Sequence, residues 1–137
     1  MNIAVYCAAS QSNASTFDER TEELGNWMAK KKHTLVYGGG NTGLMGVVAT
    51  AVMQTGGQVI GVMPQFLVDR EIAKKDITKL HIVETMSERK NKMIELSEAY
   101  IALPGGPGTL EEIAEVVSWV RVGQTNGICI FYNMKGY

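Results

Sequence analysis

The sequence predicts an α/β fold of the doubly wound kind, with a mainly parallel sheet and helices on both faces. Short apolar runs, typical of buried strands, alternate along the chain with longer segments whose apolar residues recur at helical spacing. Two of the turns from strand to helix are rich in glycine, which is typical of sheets that bind a ligand at such turns. Because the 137 residues contain no linker, repeat or low-complexity tract, we expect a single domain over 1–137.

The predicted elements follow one another regularly. Capping-box patterns, in which a threonine is followed three residues later by a glutamate, predict helix starts at Thr16, Thr85 and Thr109. A further helix over 44–55 should end at Gly56-Gly57, and 65–79 should be a surface loop with a short helical turn. The expected strands are 2–7, 34–37, 58–62, 80–84, 99–103 and 128–132, with His81 at a strand edge.

Composition excludes several classes of protein. Hydrophobic residues make up 45% and charged residues 20%, with a formal net charge of −1, so no basic surplus indicates a nucleic-acid or membrane partner. The beginning of the chain lacks the features of a signal peptide, and no segment is long enough to span a membrane. Cys7 and Cys129 lie in predicted strands, where we expect reduced thiols and hence a cytoplasmic protein.

The turn at 104–112, with the sequence PGGPGTLEE, joins a predicted buried strand to a predicted helix. Such a turn directs backbone N–H groups and the positive end of a helix dipole at one place, which favours a phosphate. Thr109 adds a hydroxyl there, and Glu112 adds a carboxylate one turn into the helix. The same two residues fit a capping box that merely begins the helix, and the local pattern leaves both interpretations open.

A second glycine-rich turn, 38–46 with the sequence GGGNTGLMG, follows the second predicted strand. Gly38, Gly40 and Gly43 match G-x-G-x-x-G, the pattern of dinucleotide-binding turns. The next strand lacks the terminal acidic residue that such a site uses for the ribose, and neither turn has the Gly-Lys-Ser/Thr of a P-loop. Either the helix packs closely on the strand here, or the backbone contacts a ribose or phosphate.

Two other segments that follow predicted strands carry candidate ligand-binding residues. Ser10 lies in the first turn, where closing the turn is the favoured interpretation for this residue alone. Arg89 and Lys90 lie in the first turns of a helix, where cations oppose the helix dipole and a bound phosphate or carboxylate would compensate for them. Because parallel strands end at one edge of a sheet, all these segments should converge on one cleft.

Together the motifs resemble those of a known family. Its pattern consists of Gly38-Gly39-Gly40-x-x-Gly43-Leu44-Met45-Gly46, then Met86-x-x-Arg89-Lys90, then Pro104-Gly105-Gly106-x-Gly108-Thr109-x-x-Glu112. In this order they resemble the Lonely guy family of cytokinin riboside 5′-monophosphate phosphoribohydrolases, many once labelled lysine decarboxylases. The resemblance covers nearly the whole chain. It implies a Rossmann-like nucleotide-binding domain, usually a homodimer, that acts without a metal or cofactor.

The resemblance also implies the reaction, which is hydrolysis of the N-glycosidic bond of an adenosine monophosphate, with or without an N6 substituent. The products are the free base and ribose 5-phosphate. The family's catalytic pair falls on Arg89, which would bind substrate or assist the leaving base, and Glu112, which would stabilise positive charge on the ribose. The expected substrate-binding residues are Ser10, Gly38, Gly39, Gly40, Gly43, Met86, Lys90, Gly105, Gly106, Gly108 and Thr109.

Other functions stay open at this point. A carrier of the molybdenum-cofactor type would bind a phosphorylated cofactor without cutting it, and would not need the Glu112 carboxylate. A lysine decarboxylase would need pyridoxal phosphate on a lysine, for which Lys90 is the one candidate.

The chain also departs from the family pattern. Ser87 replaces a frequent histidine and Ala8-Ala9-Ser10 replaces Gly-Ser-Ser, which leaves the substrate preference open. The sequence stops at Tyr137, where relatives continue with more helix, so we expect a truncated chain or a missing tail.

Overall fold

The computed structural model describes residues 1–7, 14–70, 72–103 and 128–131, together with helical backbone at 114, 117 and 118. The strands are β1 Asn2–Tyr6, β2 Thr34–Tyr37, β3 Gln58–Pro64, β4 Lys79–Val83, β5 Ala99–Ala102 and β6 Ile128–Phe131. The helices between them are α1 Ala14–Lys30, α2 Gly43–Gln54 and α3 Met86–Leu96. A 3₁₀ turn, Gln65–Leu67, opens the long connection from β3 to β4, as the sequence predicted.

The six strands form one sheet in the order β4-β3-β2-β1-β5-β6, and every neighbouring pair is parallel. The chain starts in the middle, builds outward from β1 to β4, and then crosses to β5 on the other side of β1. The order therefore reverses between β1 and β5. In sheets of this type ligands bind beyond the carboxyl ends of the strands, beside such a reversal.

Helices lie on both faces of the sheet, which confirms the doubly wound fold. Successive side chains of a strand point to opposite faces, so each strand contributes to two cores. On one face α1 and α2 pack against the sheet, and the buried side chains there include Val5, Leu24, Met28, Leu35, Tyr37, Val48 and Val52. On the other face lies α3, and its core includes Tyr6, Val36, Val62, Met93, Ile94 and Tyr100.

The ends of two helices show where local sequence rules predict the structure correctly and where they do not. After α2, Gly56 has a φ of +85°, its N–H donates to Met53, and the N–H of Gly57 donates to the carbonyl of Val52 at 2.8 Å. This is the paired hydrogen bonding of a Schellman motif, and it confirms the predicted stop at the two glycines. The predicted start at Thr16 is wrong, because α1 has already begun at Ala14, a residue with the highest helix propensity.

Several smaller predictions also have outcomes. Cys7 is buried, Cys129 is half-buried, and both carry reduced thiols, as expected. His81 lies on β4, which is the edge strand of the sheet, as expected. Over the described ranges, no helix combines the length and apolar character that a membrane crossing requires.

Candidate active site

Arg89 is the centre of the site. It lies on α3, its side chain is only 3% exposed, and its guanidinium reaches the carboxyl ends of two strands. Nε donates to the carbonyl of Val62 in β3 at 3.0 Å, and Nη2 donates to the carbonyl of Gly38, directly after β2, at 2.6 Å. Nη1 lies 3.9 Å from the sulfur of Met86, one turn earlier on the helix. The guanidinium is thus held in one orientation at the edge where a ligand would bind.

These contacts explain why the helix tolerates a cation near its start. The sequence predicted that a bound phosphate or carboxylate would compensate for Arg89. Two backbone carbonyls accept hydrogen bonds from its guanidinium, and bonds from a charged donor are stronger than those between neutral groups. These two contacts help to hold a cation at this position, and the compensating anion stays a prediction. Lys90 follows it on α3 and is half-buried.

Gly38 is a glycine because Arg89 occupies the space beside it. A Cβ built on Gly38 would overlap Nη2 of Arg89 and would lie 2.7 Å from Cε of Met45. Any side chain would have to displace the buried guanidinium. The close approach of side chains from α2 and α3 thus favours a glycine at position 38, and a ligand contact there stays a prediction.

The rest of the glycine turn is held by the backbone and by Tyr37. Gly39 has a φ of +87°, in the left-handed region that favours glycine, and Gly40 accepts a hydrogen bond from the Tyr37 hydroxyl at 2.8 Å. Burial raises the pKa of Tyr37 far above its ordinary value. The nearby Cys7 and Asp76 add to this rise, and Arg89 opposes it. The phenol consequently stays protonated and acts as a hydrogen-bond donor.

The helices α2 and α3 start differently at this edge. At α3 the hydroxyl of Thr85 accepts from the N–H of Glu88 at 3.1 Å, which confirms the predicted cap. The Glu88 carboxylate completes the arrangement through the N–H of Glu84, at 3.3 Å, rather than through that of Thr85. At α2 the side chain of Thr42 makes no capping hydrogen bond, and Gly43 begins the helix. The first N–H groups of α2 therefore lack a side-chain cap from Thr42.

A segment of the long β3–β4 connection lies across the glycine turn. Ala73 forms an antiparallel bridge with Gly40, and the N–H of Lys74 donates to the carbonyl of Gly39 at 2.9 Å. The Lys74 side chain is 9% exposed, and its ammonium lies 3.2 Å from the carboxylate of Asp76. Sequence reasoning treated 65–79 as a surface loop and missed this lysine. Nothing in the local pattern distinguishes Lys74 from Lys75 beside it.

The structure brings part of the predicted site together. Met86, Arg89 and the glycine turn meet at the carboxyl edge, with Gly43 at the start of α2. β5 ends at the same edge, where the N–H of Leu103 donates to the carbonyl of Tyr6 at 2.8 Å. Among the described residues, no cluster of three or more His, Cys, Asp or Glu could hold a metal ion. Outside the described residues lie Ser10, Gly105, Gly106, Gly108, Thr109 and Glu112.

Comparison with known proteins adds three findings. A sequence model of the family described as "Possible lysine decarboxylase" matches residues 45–137. The chain is 41% identical over 137 residues to the cytokinin riboside 5′-monophosphate phosphoribohydrolase of Rhodococcoides fascians, covering 99% of this chain and 69% of the relative. It is also 41% identical over 135 residues to the cytokinin riboside 5′-monophosphate phosphoribohydrolase LOG3 of Arabidopsis thaliana. That match covers 98% of this chain and 63% of the relative.

Among solved structures, the molybdenum cofactor carrier protein of Chlamydomonas reinhardtii is similar, with a TM-score of 0.76 and 21% identity. The match covers 96% of this chain and 77% of the carrier. At this identity the likeness concerns the fold alone.

Proposed function

The chain belongs to the Lonely guy family, the one described as possible lysine decarboxylases, and from this premise we propose that it hydrolyses the N-glycosidic bond of adenosine-type nucleoside 5′-monophosphates. The products would be a free base and ribose 5-phosphate. The observation that carries the proposal is the buried guanidinium of Arg89, held by two carbonyls at the edge where such sheets bind ligands. The two relatives named phosphoribohydrolases support the same reaction, although the chain spans only 63% to 69% of their lengths.

The spacing of the strands suggests how a nucleotide would lie. Arg89 is anchored to β2 and β3, whereas the glycine-rich segment 104–112 follows β5 in the chain. Between β2 and β5 lies β1, so two strand spacings, roughly 10 Å in total, separate them. A nucleoside monophosphate has a comparable length from phosphate to base. We therefore place the phosphate at residues 105–109 and the base beside Arg89.

The chemistry follows from this orientation. As the bond from C1′ to the base nitrogen breaks, its electron pair leaves with the base and positive charge develops on the ribose. The carboxylate of Glu112 would stabilise this charge and orient the water whose oxygen bonds to C1′. Arg89 would hold the leaving base by hydrogen bonding and charge. Because an arginine does not give up its proton in proteins, the proton that the base acquires would come from water or another group.

The proposal also covers the remaining residues of the cleft. Ser10, Lys90 and the glycines of both turns would line the cleft, with Thr109 contacting the phosphate. We also propose a homodimer, because a helix over 110–121, as the sequence predicts it, would carry apolar residues on more than one face, with the large ring of Trp119 among them. Light scattering at micromolar concentration tests this. The two reduced cysteines agree with the proposed location in a reducing cytoplasm.

The assay that tests the function uses AMP and N6-isopentenyl-AMP, followed by chromatography of the products. We expect free base from the monophosphates and much less from the nucleosides that lack phosphate. Equal rates on both would contradict the use of phosphate as a handle for orientation. Binding of the nucleotide without release of base would instead favour a non-enzymatic carrier. Decarboxylation of lysine would support the older family description.

Glu112→Gln separates catalysis from folding. The change removes the charge but keeps the shape, and losing one electrostatic stabiliser of a transition state typically costs ~10²–10³ in rate. An N-terminal cap contributes on the order of 1 kcal/mol and Gln retains part of it, so thermal unfolding should shift little. Glu111→Gln is the matched control, because adjacent residues of a helix point about 100° apart. Near-full hydrolysis by Glu112→Gln would assign the catalytic role to another residue.

A further inference from the structure

Lys74 is buried in a way that its contacts with the described residues do not explain. Lysine is among the residues least often buried, yet this one is only 9% exposed. The ammonium pairs with Asp76 at 3.2 Å, and the Asp76 side chain is 71% exposed. An ion pair with an exposed partner stabilises a fold only weakly, whereas a lysine loses much of its rotamer freedom when its side chain is buried. The pair with Asp76 alone does not account for a buried lysine side chain at this position.

The backbone fixes Lys74 directly on the candidate site. Its N–H donates to the carbonyl of Gly39, and its neighbour Ala73 bridges Gly40. The same turn, at Gly38, binds the guanidinium of Arg89. Two cations therefore flank one glycine turn at the carboxyl ends of β2 and β3. The Tyr37 hydroxyl, which bonds to this turn, lies close enough to Asp76 and Arg89 for both charges to act on it. Burial is the largest cause of the raised pKa of Tyr37, Asp76 raises that pKa further, and Arg89 lowers it.

The ammonium also retains capacity for a ligand. A lysine has three N–H donors and no acceptor. The described contacts are to the two oxygens of one carboxylate, at 3.2 Å and 3.4 Å, which occupy at most two donors. At least one N–H of Lys74 is therefore left over by the described part of the chain.

We propose that Lys74 is a substrate-binding residue whose ammonium donates a hydrogen bond to a ring nitrogen of the purine base. The inference rests on the proposed function for the orientation of the nucleotide, with its phosphate beyond β5 and its base at the β2–β3 end. Purine ring nitrogens are acceptors, and a charged donor forms the stronger kind of hydrogen bond with them. Lys74 and Arg89 then hold the base from the two sides of the glycine turn.

Equilibrium binding of adenine and of ribose 5-phosphate tests the base site and the phosphate site separately. The measurement does not require catalytic turnover. Lys74→Met keeps the length of the side chain but loses the charge, and Lys75→Met changes the exposed neighbour as a matched control. By calorimetry we expect adenine to bind Lys74→Met about tenfold more weakly than the unaltered protein, as is typical for a lost hydrogen bond to a charged group. Ribose 5-phosphate should bind equally well. Lys75→Met should change neither affinity, and Lys74→Arg should recover part of the adenine affinity.

A series of deaza-adenines tests the same contact in the unaltered protein, so the inference does not depend on the folding of a variant. Replacing the contacted ring nitrogen by CH should weaken binding about tenfold, and the same analogue should lose nothing further in Lys74→Met. Equal binding of the 1-, 3- and 7-deaza analogues and adenine would overturn the proposal. So would undetectable adenine binding, an effect of Lys74→Met on ribose 5-phosphate, or an unchanged adenine affinity in that variant.

The outcomes also separate this inference from the proposed function. Adenine binding that depends on Lys74, in a protein without hydrolase activity, would reject the reaction and retain the contact. Hydrolysis with an adenine affinity that is independent of Lys74 would do the reverse.

Discussion

The helices α2 and α3 both begin at the carboxyl edge of the sheet, yet their first turns are built differently. α3 is closed by its own side chains, since Thr85 and Glu88 accept hydrogen bonds from backbone N–H groups there. α2 begins at Gly43 without a side-chain cap from Thr42. The first turn of α2 contains Gly43 and Gly46, whereas that of α3 contains Glu88 and Arg89.

The difference shows that the two helix starts contribute different groups to the candidate site. A helix start whose N–H groups are capped by its own residues has fewer donors to offer an anion. α3 instead contributes a side chain, Arg89, and orients it with carbonyls from two strands. α2 contributes backbone and space, because its turn must admit that side chain. A charged residue in a helix start is thus not by itself evidence for a bound anion.

Removing the hydrogen bonds that join Arg89 of α3 to the carbonyls of Gly38 and Val62 should have the largest effect on stability. Arg89→Met leaves the carbonyls of Gly38 and Val62 without the donor that they have now, and each buried unpaired acceptor costs ~1–3 kcal/mol. We expect the free energy of unfolding to fall by on the order of 2–5 kcal/mol, measured by urea denaturation. Arg20→Met, at an exposed position of α1, is the control and should stay near the original stability. Equal stability of the two variants would contradict the role assigned to the carbonyl contacts.

Filling the space on the α2 side should have an intermediate effect. Gly38→Ala forces its Cβ against the Arg89 guanidinium, and overpacking of this kind costs ~1–3 kcal/mol. We expect weaker nucleotide binding as well, because the displaced group is the proposed base contact.

Gly56→Ala provides the comparison for that variant. Among the described residues, no atom beyond the two chain neighbours of Gly56 lies within 4 Å of a Cβ there, so the left-handed backbone alone should cost about 1 kcal/mol. Thermal unfolding and nucleotide titration of both variants distinguish the two causes. If Gly56→Ala impaired nucleotide binding as much as Gly38→Ala, the loss could not be assigned to Arg89.

The caps themselves should give the smallest effect. Thr85→Ala removes a hydrogen bond to the N–H of Glu88 and should cost about 1 kcal/mol. Thr42→Ala removes no capping bond and should leave the stability nearly unchanged. Urea denaturation of the pair measures this contrast directly. A larger loss for Thr42→Ala would mean that the hydroxyl of Thr42 stabilises the glycine turn by another route.

The fold was predictable because its determinants are local. Strand and helix periodicities, the glycines after α2 and the threonine before α3 each specify structure over a few neighbouring residues. The start of α1 was placed two residues late, at Thr16, since a capping pattern was given more weight than the helix propensity of Ala14. Boundaries of this kind are the least certain part of any such prediction.

For the candidate site, the sequence predicted which segments lie together but not which contacts their residues make. Motif order indicated that Met86, Arg89 and the glycine turn belong together, but not what Arg89 binds. Its carbonyl partners lie 27 and 51 residues away in sequence, so only the assembled sheet reveals them. Lys74 escaped notice for the same reason. Its burial depends on a backbone bond to Gly39, whereas its sequence environment equals that of an exposed lysine.

The hydroxyl of Tyr100 has a consequence for the dynamics of the molecule. It lies 3.0 Å from the carbonyls of both Ile94 and Ser97, and so ties the end of α3 to β5. With Arg89 anchoring the other end to β2 and β3, α3 cannot move outward without breaking contacts at both ends. The backbone amides of α3 should therefore exchange with deuterium as one cooperative unit. Their exchange rate should be set by detachment of the whole helix from the sheet rather than by fraying of its ends.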